Sequence, residues 1–297
     1  MHPVIASLLL VLASSGLFAA SDPPPALIGS WQEDGTEGSY CRFEPDGTCT
    51  MAGAGTLQFF RGAFPPAKII VKMQGQRIEL PYDLSGDVLH LTVNDKQETY
   101  RRLTEVPAAL IITPLAFGSG TADAKRIAEL KKAFAKRERE DQAVRTDPSK
   151  QAKMGEVDRD NTTWLKTLVG ELGWIDATRF GAEAANTAFL IVQHSGDLPL
   201  MIAALPAIEL DVKKKKIDCQ GYALLFDRTQ LYLGRKQRFG TQVGQNDKGE
   251  MIVLACEHPA EVEKRRKEIG LFPLSQYLGF FASQNHGKAI GFEPEEE

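Results

Sequence analysis

The sequence is short of the features that mark specialised chains. Four Cys in 297 residues exclude a disulfide-dense scaffold. With 26 Gly and 16 Pro it is neither collagen-like nor a low-complexity linker. Lys and Arg number 35 against 39 Asp and Glu, so the formal charge of -4 lacks the cationic excess of most nucleic-acid-binding domains. No Cys or His residues have the paired spacing of a zinc site, and no metal trio is visible. No Ser, Cys or Lys stands in a nucleophile motif. Past the first twenty residues, no continuous apolar run approaches the roughly 20 residues that a membrane helix needs. What is left is the composition of a globular protein, 43% hydrophobic and 25% charged. At roughly 150 residues per domain, the length suggests about two domains, each able to bury a core.

The first segment reads as an address. Val4 to Ala20 is uncharged, with an apolar run at Leu8 to Leu12 and small residues at Ala19, Ala20 and Ser21. An apolar stretch followed by a small-residue zone predicts a signal peptide over residues 1–20, although no Lys or Arg precedes it. An uncleaved anchor is the alternative. The expected location is periplasmic or extracellular, with no membrane span after cleavage. Export permits disulfides. Cys41–Cys49 and Cys219–Cys256 are the pairs considered. If Pro45-Asp46-Gly47 forms a three-residue hairpin loop, Phe43 pairs with Cys49, and Cys41 lies diagonal to Cys49 at about 7–8 Å, the edge of disulfide reach.

Residues 26–103 are written in short strands. Tyr40–Phe43 and Thr48–Met51 flank the Pro45-Asp46-Gly47 turn, Lys68–Lys72 is rich in β-branched residues, and Val88–Val93 alternates at period two. Such spacing predicts a small antiparallel barrel or sandwich. Gly29-Ser30-Trp31, Phe43-x-x-Asp46-Gly47-Thr48, Tyr82-x-Leu84-x-Gly86-Asp87-x-Leu89 and Tyr100-Arg101-Arg102 resemble the short bacterial lipocalin-like domains. That resemblance implies an exported β-barrel with Trp31 as a core plug. The segment is too short for the deep ligand cup of a full lipocalin.

Residues 104–121 mix Pro107, Pro114, Gly118 and Gly120 with an apolar piece and read as a partly packed linker. The remainder, 122–283, reads as mainly helical with a short hairpin, and 284–297 as a disordered acidic tail. Ala122–Arg145 carries an apolar stripe at Ile127, Leu130 and Phe134 inside mixed charges, which usually face solvent. Asp158–Leu172 is a second helix, Asp176 can cap a third running to about His194, and Asp197 a fourth that Pro206 divides or kinks. Lys213 to Lys216 suits a solvated helix C-terminus, with an anionic surface as the alternative. Gln230 to Leu233 alternates in the manner of a strand.

Here the ordered set Asp141-Gln142-x-x-Arg145, Asp158-x-x-Asn161, Gly173-Trp174, Gln193-His194, Asp227-Arg228, Gly234-x-x-Gln237-x-Phe239-Gly240-Thr241-Gln242 and Arg266-x-x-x-Gly270-Leu271 resembles a bacterial domain family of unknown function. Ile175 stands where that family usually has Pro, and Ser195 where it usually has Ala, which makes Ser195 a poor nucleophile. The resemblance implies no activity. The residues themselves suggest one: His194 as general acid or base oriented by Asp227 or Asp197, Arg145 or Arg228 holding an anionic group, and Gln237 and Gln242 donating and accepting around a ligand. Beside this stands a structural reading, in which His194 is a hydrogen-bonded core residue and Asp227-Arg228 an ion-pair node. The expectation is an α+β protein, a lipocalin-like barrel followed by a helical domain. It would serve as a non-enzymatic envelope or extracellular binding module for a small molecule or envelope component, without cofactor, metal or nucleic acid. The alternative is a hydrolase-like enzyme using His194.

Overall fold

The computed structural model describes residues 22–53, 56–73, 76–216, 218–246, 249–281 and 289–293. The expected signal segment, 1–20, lies outside them. The fold is α+β: a closed eight-stranded antiparallel barrel, then a helical region and a small sheet. The chain packs as two compact units, one joining Met1–Ile112 to Gln230–Glu297 and the other formed by Thr113–Thr229.

In the first unit the strands are β1 (Gly29–Glu33), β2 (Tyr40–Phe43), β3 (Thr48–Gly53), β4 (Thr56–Ala63), β5 (Lys68–Met73), β6 (Gln76–Ser85), β7 (Val88–Val93) and β8 (Lys96–Leu103). Each pairs antiparallel with the next, and β8 closes onto β1, so no edge is left to aggregate. Alternation puts Trp31, Phe43, Leu89, Leu91 and Tyr100 into one core cluster. Trp31 is wholly buried, its indole N–H donating to the Leu27 carbonyl at 3.0 Å and its ring covered by the Arg102 guanidinium at 4.1 Å. Gly29 beside it takes a φ of 132°, a backbone conformation that other residues rarely adopt.

The β2–β3 register pairs Phe43 with Cys49 and Cys41 with Met51. Gly47 takes a left-handed φ of 83°, and Asp46 Oδ1 accepts from the Thr48 amide at 2.9 Å. Cys41 and Cys49 therefore share a face diagonally, and both are buried free thiols. Neither disulfide considered, Cys41–Cys49 or Cys219–Cys256, is formed. In the barrel, the two thiols act as small apolar groups of the core instead.

Further along the same unit, β9 (Val243–Gln245) and β10 (Met251–Val253) form the expected hairpin, followed by α7 (Val262–Glu268) and α8 (Leu274–Gly279). A third strand, β11 (Gly291–Phe292), pairs parallel with Ile252 and Val253 of β10. Within the stretch expected as a disordered tail, 284–297, the described residues 289–293 thus include a paired strand, and Phe292 packs on the cluster of Cys256, Val262 and Leu274. Glu295 to Glu297 lie outside the described residues.

The second unit holds α1 (Ala124–Thr146), α2 (Met154–Leu172), α3 (Ala177–Phe180), α4 (Ala182–Ser195) and α5 (Leu198–Lys213). Asp123, Asp176 and Asp197 cap α1, α3 and α5 by accepting backbone N–H bonds. The helix expected to run from Asp176 to His194 is broken at Gly181, whose φ of 86° no helix accommodates. Pro206, by contrast, does not divide α5, which is continuous through it with the ring exposed. The stretch read as apolar then strand-like is one helix, α6 (Cys219–Tyr232). On α4 the small residues Ala184, Ala185 and Ala188 are buried and allow close approach to α1 and α2. The segment before α1 is strapped to α2: the Gly118 and Gly120 amides donate to the Val169 and Glu171 carbonyls at 2.9 and 3.0 Å. A Cβ on Gly118 would meet the Gly170 carbonyl oxygen at 2.2 Å, which is why glycine stands there.

Candidate functional site

Spacing on single helices starts the site. Asp141 and Arg145 are four apart on α1 and share a face. Asp158 stands in the second turn of α2, and His194 is the penultimate residue of α4. Packing of α1 against α2 and α4 brings the four side chains together. Arg145 Nη2 lies 2.6 Å from Asp158 Oδ1 and 3.2 Å from Asp141 Oδ1. Asp141 Oδ1 is also 3.1 Å from His194 Nδ1, and its Oδ2 accepts from Gln142 Nε2 at 2.9 Å. Arg145 Nε approaches both imidazole nitrogens, at 3.1 Å from Nδ1 and 3.4 Å from Nε2.

One nitrogen cannot both donate and accept along a single in-plane direction. With a proton on Nδ1, that nitrogen donates to Asp141, while Arg145 Nε, within 3.1 and 3.4 Å of both ring nitrogens, sits against the ring and not on one lone pair. The opposite tautomer sets a lone pair against the Asp141 carboxylate. The Asp141 contact therefore favours a proton on Nδ1. Asp141 is the buried member, its side chain 3% exposed, while Asp158, His194 and Arg145 keep 16%, 18% and 19%. Burial pushes the Asp141 carboxyl up, but the His194 hydrogen bond and charge, then Arg145 and Gln142, outweigh it and hold the group below its ordinary range.

The cluster continues as a polar seam. Two turns earlier on α1, Arg137 Nη1 donates to Asn161 Oδ1 at 2.7 Å and pairs with Asp160. Thr187 on α4 donates to Glu138 at 3.2 Å. Two nitrogens of the seam, Arg145 Nη1 and Asn161 Nδ2, are buried without a hydrogen-bond partner among the described residues.

Of the residues singled out from sequence, His194 and Arg145 are brought into contact. His194 finds its carboxylate in Asp141. Asp197, one of the two candidates for that role, caps α5 and pairs with Lys166 at 2.6 Å instead. Asp227, the other, is completely buried on α6. Arg228 donates to the Gln193 carbonyl at 3.1 Å and so ties α6 to the end of α4. Gln237 and Gln242 belong to the other compact unit. There the Gln237 amide is a backbone clasp: Nε2 donates to the Gln242 and Leu254 carbonyls at 2.9 and 2.7 Å, and Oε1 accepts from the Gln242 amide at 2.9 Å. Gln242 is 4% exposed and donates to Thr241. Ser195 Oγ is spent on the Val192 carbonyl at 2.8 Å, as befits a helix end.

Sequence reasoning had quoted Asp141 and Asp158 only as parts of a pattern. The available signal was the i,i+4 spacing of Asp141 and Arg145. Asp141, Asp158 and His194 each offer one donor atom, and these atoms all lie within 4.8 Å of one another, a set able to hold a cation although no metal was expected. In this structure the Arg145 guanidinium is bonded to both carboxylates.

Fold and cluster together define a protein with a β-barrel and a helical region carrying a His–Asp–Arg–Asp group. Residues 123–288, more than half of the chain, match the family described as a family of unknown function, DUF6624, and the chain belongs to that family. No curated protein and no solved structure matches it.

Proposed function

We propose that the protein is exported and that its helical unit is a binding module for a small polar molecule or envelope component, with Asp141, Arg145, Asp158 and His194 as its contact residues. One observation carries this reading: a guanidinium, an imidazole and two carboxylates from three helices converge where three of the four side chains keep 16–19% exposure. A seam serving stability alone gains from complete burial and complete pairing, and this one has neither. Export rests on the uncharged Val4 to Ala20 segment and its small-residue end. The purified mature protein should show an N-terminus near Ser21 by mass spectrometry, and an intact Met1 would refute cleavage. An untargeted ligand search read by thermal shift should yield compounds that stabilise the wild type and lose their effect in His194→Ala and Asp158→Asn. Compounds that act equally on all three proteins would count against the site.

A second reading, a hydrolase-like enzyme acting on an envelope-derived substrate, draws on the Asp141–His194 contact at 3.1 Å. A carboxylate that fixes the Nδ1–H tautomer leaves Nε2 as the proton acceptor, the arrangement of a general base. Turnover of envelope-derived substrates unchanged in His194→Ala would sink it.

A further inference from the structure

We propose that Asp141, Asp158 and His194 form a divalent-cation site that the Arg145 side chain plugs when no ion is bound. The inference rests on the reading of this cluster as the ligand site and names the class of its ligand. The three donor atoms come from three helices and lie within 4.8 Å of one another. Ions of the Mn2+ or Zn2+ kind hold oxygen and nitrogen ligands at about 2.0–2.2 Å, which sets neighbouring donors roughly 3–4 Å apart. Asp141 Oδ1 and His194 Nδ1, at 3.1 Å, already meet that spacing.

A positive charge already stands among these donors. Arg145 Nη2 is bonded to both carboxylates, at 2.6 and 3.2 Å, and Nε leans on the imidazole. The donors are therefore arranged around a cation, but one mounted on a flexible stem. The rest of that guanidinium is weakly held: Nη1 is buried with no partner among the described residues, and the side chain keeps 19% exposure as a route to water. Nearby, Asn161 is 2% exposed, one turn along α2 from Asp158, and its Nδ2 also lacks a partner. Both nitrogens are donors and can ligate no cation; what they show is that no acceptor anchors this edge of the guanidinium among the described residues. An ion entering would meet the guanidinium at contact distance, so ion and plug exclude each other by charge. With Arg145 withdrawn, and with the imidazole proton moved from Nδ1 to Nε2 so that Nδ1 has a lone pair to give, two carboxylates and a neutral imidazole match a doubly charged ion. An O,O,N donor set completed by water suits Mn2+, Fe2+ or Zn2+ better than Ca2+.

The test uses the full mature chain with Mn2+ and Zn2+ as probes. In the NMR spectrum the His194 ring signals, identified by their loss in His194→Gln, should broaden selectively with Mn2+ among the four His left of the five once His2 is removed with residues 1–20. Calorimetry should give one Zn2+ per chain, at least tenfold tighter in Arg145→Gln and abolished by Asp158→Asn in either background. No selective broadening of His194 at saturating Mn2+ in the wild type overturns the proposal, whether or not Arg145→Gln folds. So does Zn2+ binding that is no tighter in a folded Arg145→Gln, or that survives Asp158→Asn. If metal fails while small molecules still depend on Asp158 and His194, only the cation proposal falls. If neither depends on them, the binding module falls with it.

Discussion

Arg145 Nη2 reaches Asp158 Oδ1 at 2.6 Å while Nε rests 3.1 Å from His194 Nδ1, so one guanidinium ties α1 to both α2 and α4. Because both members of the ion pair are mostly buried, removing either strands the other. Arg145→Met and Asp158→Asn should each lower stability by about 1–3 kcal/mol in urea denaturation. The double variant should lose less than the sum, by roughly 1 kcal/mol. Strict additivity would show that the contact carries no coupling and that the cluster is held by its helices alone.

Gln237 offers a test of the opposite kind, of a polar residue whose whole amide is used structurally. Its three bonds close the chain between Gln242 and Leu254 on both sides of the hairpin. Gln237→Leu keeps the volume but takes away the side-chain partner of the Leu254 carbonyl and of the Gln242 amide, while the Gln242 carbonyl keeps the Leu254 amide at 3.1 Å. A loss of about 2–4 kcal/mol is expected, with ligand-dependent shifts unaffected once the protein is folded. Normal stability in Gln237→Leu would mean that water replaces the clasp.

These two cases mark what was legible in the sequence. The barrel was, because period-two alternation and turn residues are local: the Phe43–Cys49 pairing follows from Pro45-Asp46-Gly47 alone. Helices α1 and α2 were, because their apolar stripes are local too, although α2 begins at Met154, four residues before the expected Asp158, and has no side-chain cap. The α6 helix was not, because Gln230 to Leu233 alternates like a strand while helical packing decides the outcome. In the site, His194 and Arg145 stood out by residue type. Their meeting with Asp158 did not, since it depends on how three helices pack. The partners of Gln237 were not legible for the same reason: a loop glutamine shows its residue type but not that its amide bonds to backbone atoms.

Asp176 gives a pH dependence with a definite sign. Burial raises its carboxyl, but the Arg179 side chain and amide, the Thr178 amide and the Arg179 charge together lower it below the ordinary value. A carboxyl lower in the folded than in the unfolded state binds protons more weakly when folded. Its contribution is thus complete above the unfolded value of about 3.9 and disappears as pH falls through the lower folded value. At neutral pH, Asp176→Ala should cost about 1 kcal/mol, the worth of the α3 cap. That difference should shrink as the pH is lowered from about 4. Asp176→Asn, which can still accept from both amides, should lose less. A wild-type-to-Ala difference constant from pH 7 to pH 2 would rule out this linkage.

The barrel thiols are the last test, and they bear on export as well as packing. Burial pushes Cys49 up to about 12, with Asp46 adding and Arg61 and the Gly62 amide opposing. Cys41 is raised as well, by burial first and then by Cys49, Glu98 and Glu33. Thiolate is the reactive form, so at pH 8 both are protonated as well as hidden. Cys219, half-buried at the start of α6, lacks that shelter. Brief alkylation of the native protein should therefore label Cys219 first, with Cys41 and Cys49 following only at the rate of global opening. In urea all four should label, including protein recovered from an oxidising compartment, because the diagonal register favours core packing over a bond. Peptide mapping that finds Cys41 and Cys49 joined would show that the β2–β3 pair closes further than this structure has it. Native labelling of Cys49 as fast as Cys219 would show instead that the barrel opens on that side.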